Sequence, residues 1–125
     1  MYPIISKYFP EFSPSQLNQF STFENYLLEW NSKVNLISRK DTENFEINHL
    51  LHSLSVLKFF EFKPGSRILD LGTGGGLPGI PLSIALPEMQ FFLIDSISKK
   101  MNVVIDITNR LSLKNVQTKT DRVEG

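Results

Sequence analysis

The sequence predicts an α/β fold: a parallel sheet with helices on both faces, preceded by an N-terminal helical cap. Three observations carry that reading. Apolar residues recur at helical spacing over roughly the first sixty positions. After Lys63-Pro64-Gly65-Ser66, short apolar runs replace that pattern. The first run ends in an acid, and the eight residues Gly72 to Gly79 hold five of the chain's seven glycines.

The elements follow in order. Ser13-Pro14-Ser15-Gln16 reads as a helix start: a capping serine, a proline suited to the first turn, and a glutamine that closes a capping box. Leu17, Phe20, Phe23, Leu27, Trp30 and Val34 recur at three- and four-residue steps, so one amphipathic helix is expected to about Val34. Trp30 and the phenylalanines read as core. A second helical stretch is expected from Asp41 or Thr42, carrying Phe45, Leu50, Leu51, Leu54, Val56, Leu57 and Phe60. Lys63-Pro64-Gly65-Ser66 ends it.

Arg67-Ile68-Leu69-Asp70-Leu71 is a short apolar strand leading into the glycine loop. A helix is expected from about Gly79 to Leu86, stopped by Pro87. Gln90 to Asp95 is a continuously apolar strand, as a strand covered on both faces would be. Ser96 or Ser98 is expected to cap the next helix, whose buried side is Met101, Val104, Ile105 and Ile107 and whose end lies near Leu111. Val116 to Lys119 alternates as a third strand. Strand–helix repeats of this kind imply right-handed crossovers and a parallel sheet. Such sheets ordinarily run to five or more strands. An incomplete sheet is therefore expected, in the front part of a longer protein.

Composition narrows the function classes. Thirteen Lys and Arg balance thirteen Asp and Glu, so bulk charge does not point to nucleic acid. The basic residues gather late in the chain, at Lys99, Lys100, Arg110, Lys114, Lys119 and Arg122, which allows an anionic macromolecular partner. With no cysteine there is neither a disulfide nor a thiolate metal site. The N-terminus lacks a signal-peptide pattern, and no run approaches the ~18 apolar residues of a membrane span. A cytoplasmic monomer is expected.

The glycine loop fits two cofactor registers. Gly74, Gly76 and Gly79 satisfy G-x-G-x-x-G, the dinucleotide pattern, with Asp95 placed for the ribose. Alternatively, Gly72-Thr73-Gly74-Gly75-Gly76 is a G-x-G-x-G run directly behind the acid Asp70. Placement favours the second, because the first glycine at the turn leaving the strand is Gly72, and the sixth position counted from it is Leu77. An acid at the strand end also suits the cationic S-adenosylmethionine better than a diphosphate. The expected cofactor is S-adenosylmethionine, with Gly72 and Gly74 in the loop and Asp95 accepting from both ribose hydroxyls. Residues 1-64 then read as the helical cap, and 65-125 as the first half of a Rossmann-like S-adenosylmethionine-binding domain.

The run Leu69-Asp70-Leu71-Gly72-Thr73-Gly74-Gly75-Gly76-Leu77-Pro78-Gly79-Ile80-Pro81-Leu82 resembles the motif of the ribosomal RNA small subunit methyltransferase G family, also called glucose-inhibited division protein B. Trp30-Asn31 with Asn35-Leu36 and Arg39, His49-Leu50 with Ser53, Leu93-Ile94-Asp95-Ser96 with Lys99, and Arg122-Val123-Glu124 resemble it as well. The resemblance implies a Rossmann-like class I methyltransferase that moves a methyl group from S-adenosylmethionine to guanine N7 of 16S rRNA. It implies cofactor contacts at Gly72, Leu77, Asp95, Val123 and Glu124. Two departures stand out: His52 occupies a position that is usually acidic in the family, and the family's later strands, with an arginine at the cofactor and a lysine facing RNA, are not in this sequence.

Guanine N7 carries a lone pair and no proton, so no general base is required and positioning is the main catalytic device. No metal is expected. RNA-facing candidates are Asn35, Arg39, His49, Lys99 and Lys100, with 16S rRNA or the small ribosomal subunit as partner. Two alternatives stay open: an inactive cofactor-binding fragment of such an enzyme, and an NAD-dependent oxidoreductase using the overlapping G-x-G-x-x-G.

Overall fold

A computed structural model describes residues 2–37 and 43–120. Helix α1 is Pro3–Tyr8 and α2 is Pro14–Asn31. A third helical segment, α3, is a π-helix over Glu46–Leu51, an α-turn over His52–Leu54 and a 3-10 turn over Ser55–Lys58. There follow β1 Arg67–Leu71, α4 Gly79–Ala85, β2 Gln90–Asp95, α5 Ser98–Arg110 and β3 Val116–Thr120. The strands are parallel in the order β1-β2-β3, with Leu69 beside Phe92 and Phe92 beside Gln117.

Sequential order with right-handed crossovers puts both connecting helices on one side of the sheet. The burial pattern agrees. Phe91 and Leu93 are fully buried under α4 and α5, whereas Leu69 and Leu71 on the other face are 57% and 50% exposed. Phe92 and Ile94, expected to be covered on both sides, are only half-buried. Of the two helical layers expected, the described residues supply one. They form a single core in which Phe20, Phe23 and Leu27 of α2 meet Leu50 and Leu54 of α3, Ile80 and Ile84 of α4, and Met101, Val104 and Ile107 of α5.

Local expectations needed four corrections. Helix α2 ends at Asn31, not Val34, because the Asn31 side chain accepts from the N–H groups of Leu36 and Ile37 and draws the chain out of the helix. Neither Ser96 nor Ser98 caps α5; Ile97 occupies the cap position, and its N–H donates to Asp95 Oδ1 at 2.9 Å. Ile105 is 39% exposed, since at about 100° per residue it falls outside the arc of Met101, Val104, Ile107 and the buried Val103. Helix α1 was not anticipated. Its first free N–H groups, on Ile4 and Ile5, donate to Glu46 Oε2, a partner more than forty residues away. The expected start of the second helical stretch at Asp41 or Thr42 lies outside the described residues.

Helix α4 is only seven residues long, too short to hold itself. Side chains from distant segments fasten its C-terminal carbonyls. Gln16, which also completes the capping box with Ser13, donates to Ile84 and Ala85; the buried Asn115 donates to Ser83 and Leu86 at 3.1 Å each. Asn115→Ala is expected to leave Ser83 O without its side-chain donor and Leu86 O with only the Met89 N–H, and to cost roughly 1–3 kcal/mol. Urea unfolding of wild type and variant checks this, and equal midpoints would refute it. Helix α2 is pinned to α5 by a further set of contacts. The Trp30 indole N–H donates to Asp106 at 2.8 Å, and Arg110 pairs with Asp106 while lying over the Tyr26 ring.

Candidate cofactor-binding site

The site is built at the C-terminal ends of β1 and β2. Two carboxylates, one from each strand, hold the glycine loop. Asp95, 7% exposed at the last position of β2, accepts from Gly74 N–H through Oδ2 and from Ile97 N–H through Oδ1, both at 2.9 Å. Asp70 of β1 accepts through Oδ2 from the Thr73 hydroxyl at 2.8 Å and from Gly79 N–H at 3.0 Å. The main chain adds its share, with Gly72 N–H and Thr73 N–H both donating to Ile94 O.

Glycine is required here for two different reasons. Gly72 and Gly74 have φ of +69° and +57°, yet a Cβ on either would meet nothing within 4 Å. Their bare backbone therefore borders open space at the strand ends, where a ligand can lie against it. Gly79 is packed instead: a Cβ there would run into the Leu93 side chain and stand 2.8 Å from Asp70 Oδ2. Behind the loop, Leu27 of α2 would lie 3.0 Å from a Cβ on Gly75, with Leu36 at 3.5 Å. The N-terminal helix thus forms the back wall of the loop.

Asp70 differs from its expected role. The strand ends at Leu71, as expected, but the Asp70 carboxylate turns beneath the loop to tie Thr73 and the start of α4. Burial raises its pKa above the ordinary 3.8; hydrogen bonds from Thr73 and Gly79 oppose the rise and nearby Asp95 adds to it. A raised folded pKa means that the neutral acid favours folding. That contribution is full below 3.8 and is lost as pH rises through the folded value. Asp70→Asn keeps an acceptor oxygen without the charge. Wild type is therefore expected to gain on Asp70→Asn as pH falls toward 3.8, in urea titrations at stepped pH. A gain in the opposite direction would mean that Asp70 behaves as a stabilised carboxylate.

The same carboxylate bears on the dinucleotide register. That register needs the helix N-terminus to face a pyrophosphate. Here the first N–H of α4 is already taken by a carboxylate, in a short helix that begins only at Gly79. Anion binding at that point is disfavoured.

Of the other sequence-selected residues, Leu77 is half-buried beside the loop and precedes a cis peptide to Pro78. It lines a cavity of ≈350 Å3 with His49, His52, Ser53, Val56, Pro78 and Leu82, so both histidines come together at one place. Lys99 is exposed and Lys100 half-buried in the first turn of α5, a few residues beyond Asp95. Asn35 is exposed in the turn after α2. Val123, Glu124 and Arg39 lie outside the described residues. Sequence reading missed the role of Thr73, 2% exposed, whose hydroxyl and carbonyl organise the loop. Its place in the glycine run, as the one side chain able to hydrogen-bond, was the available signal. Among the described residues there is no cluster of three or more His, Asp or Glu arranged for a metal. No described helix is long and apolar enough to cross a membrane.

The family model for rRNA small subunit methyltransferase G matches residues 16–125. The chain belongs to this family. Curated relatives named ribosomal RNA small subunit methyltransferase G include one from Bacteroides thetaiotaomicron, 49% identical over 97% of this chain and 59% of its own length. Another, from Cytophaga hutchinsonii, is 51% identical over 97% and 58%. The chain therefore spans somewhat more than half the length of these members of the methyltransferase G family. Among solved structures, coclaurine N-methyltransferase bound to N-methylheliamine and SAH superposes with a TM-score of 0.59 over 94% of this chain and 43% of that one, at 12% identity. Precorrin-6y C5,15-methyltransferase from Geobacter metallireducens gives 0.51 over 69% and 41%, at 17% identity. At these identities the likeness shows the class I methyltransferase fold alone, with the three parallel strands of this chain as part of the sheet.

Proposed function

We propose that this chain is the cofactor-binding part of an S-adenosylmethionine-dependent methyltransferase acting on guanine N7 of 16S rRNA, in the small ribosomal subunit and in the cytoplasm. The observation that carries the cofactor assignment is the pairing of an open glycine turn at Gly72 and Gly74 with Asp95 at the end of the adjacent strand. The fit is chemical. Each Asp95 oxygen uses one lone-pair site on a backbone N–H and retains another, so the carboxylate can still accept from ribose hydroxyls. Two acidic side chains border the loop, which suits a ligand bearing a sulfonium and an ammonium. The Asp70 carboxylate at the start of α4 tells against a diphosphate.

S-adenosylmethionine supplies an electrophilic methyl group. What the chain supplies is position. Gly72, Gly74 and Leu77 shape the loop, Asp95 is proposed to orient the ribose, and Val123 and Glu124 are the proposed contacts of the adenine. Guanine N7 attacks with an in-plane lone pair, so no proton has to move and no metal is called for. Asn35, Arg39, His49, Lys99 and Lys100 are proposed to face the RNA, where lysine contacts would go to phosphates and set register rather than sequence.

Calorimetric titration with S-adenosylhomocysteine, and with NAD in parallel, tests the cofactor reading. Binding of the first alone supports it. Binding of NAD alone would sink it in favour of the oxidoreductase register. Methyl transfer from labelled S-adenosylmethionine to 16S rRNA, assayed on this chain and on a full-length relative, separates an active enzyme from a cofactor-binding fragment.

A further inference from the structure

Resting on that methyltransferase reading, we propose that the ≈350 Å3 cavity between α3 and the Leu77–Leu82 stretch receives the acceptor base, a guanine swung out of its stack. Its volume lies at the lower end of the range for small-ligand sites and is ample for a single heterocycle. Its lining suits such a ring. Val56, Leu77, Pro78 and Leu82 provide apolar walls for the flat faces, while His49, His52 and Ser53 provide the polar groups. No lysine, arginine, aspartate or glutamate is among the described lining residues, so the cavity is built for a neutral polar ligand rather than a phosphate or an amino-acid zwitterion. Neutral imidazoles offer both a donor and an acceptor nitrogen, and the Watson–Crick edge of guanine presents an acceptor at O6 and donors at N1 and N2, which leaves N7 free to attack. Enzymes that modify a base within RNA or DNA hold it between apolar walls and read its edge in this manner.

Position supports the assignment. Leu77 belongs both to the wall of this cavity and to the glycine loop, so a base held there lies next to the proposed cofactor site. A second cavity of equal volume does not share that property. It is lined by Gln19, Pro87, Gln90 and Lys114 among others, at the N-terminal ends of β2 and β3, away from the loop. The backbone adds a second indication: His49 sits within the π-helical turns Glu46–Leu51, a rare geometry that recurs at functional sites. His49 also packs against the Phe45 ring at 5.3 Å, which holds it in place, while His52 is exposed at the cavity mouth.

The chain has only two histidines, and both line this cavity, so their imidazole proton resonances report on it directly. Guanosine titrated to millimolar concentration is expected to shift both resonances saturably, with uridine at least severalfold weaker. S-adenosylhomocysteine is expected to bind at the same time without displacing guanosine. His52→Ala should weaken guanosine severalfold, and Val56→Phe, which fills the cavity, should weaken it tenfold or more. Both variants should keep the affinity for S-adenosylhomocysteine. Competition between the two ligands would assign the cavity to the cofactor and overturn the proposal. So would an absent guanosine response in a chain that binds S-adenosylhomocysteine. A chain that binds neither overturns the methyltransferase reading as well.

Discussion

Asp95→Ala is expected to weaken S-adenosylhomocysteine binding by about a hundredfold and to destabilise the unliganded chain as well. Two charge-assisted hydrogen bonds to ribose hydroxyls are together worth roughly 3 kcal/mol, which corresponds to that factor. The stability effect has a separate source. The carboxylate accepts from Gly74 N–H and Ile97 N–H in a nearly buried position, and alanine leaves both donors without their partner. The cost should be roughly 2–4 kcal/mol. Asp95→Asn keeps one acceptor oxygen and presents an amide N–H to the other donor, so it should fall between alanine and wild type on both measures. Calorimetry and urea unfolding on the same preparations separate the effects. A folded Asp95→Ala chain that binds S-adenosylhomocysteine as wild type does would remove Asp95 from the site.

Gly79→Ala should be strongly destabilising for a single added methyl. The added Cβ meets the Leu93 side chain in the core and crowds the Asp70 oxygen that receives both Thr73 and Gly79 itself. Overpacking typically costs 1–3 kcal/mol, and displacing the shared carboxylate adds roughly 1–3 more. Gly72→Ala is the contrast. Its Cβ meets nothing, so the expense is confined to the left-handed φ of +69°, roughly 1–2 kcal/mol. Its larger effect should be on ligand affinity, because the methyl projects into the open space beside the backbone. Chemical unfolding and S-adenosylhomocysteine titration of both variants test the division. A Gly79→Ala chain as stable as wild type would mean that Leu93 and Asp70 can yield at no cost.

The sheet was legible because strand signals are short-range. Apolar runs bounded by turn residues marked β1 and β2, the alternation of Val116 to Lys119 marked β3, and the capping box at Ser13 and Gln16 placed the start of α2. The glycine loop and Asp95 could be found for the same reason, since strand ends and spacing are local properties. What failed depended on partners far along the chain. Nothing near Pro3 announces that Glu46 will cap α1, and nothing near Gln16 shows that its amide will fasten α4. Asp70 shows the difference most clearly. Its position after an apolar run was visible, but the direction of its carboxylate depended on where α4 begins and on Thr73.

By itself, the sequence determined the kinds of elements, their order and the residues from which a cofactor loop could be made, because helical and strand periodicity and glycine spacing are written in neighbouring positions. Only the tertiary structure decided that Leu27 and Leu36 back the glycine loop and that Asp70 ties it from below. It alone also gathered His49, His52 and Leu77 around one cavity. Those relations come from the packing of segments distant in the chain around a shared core, where shape and hydrogen-bond satisfaction select partners that no local pattern specifies.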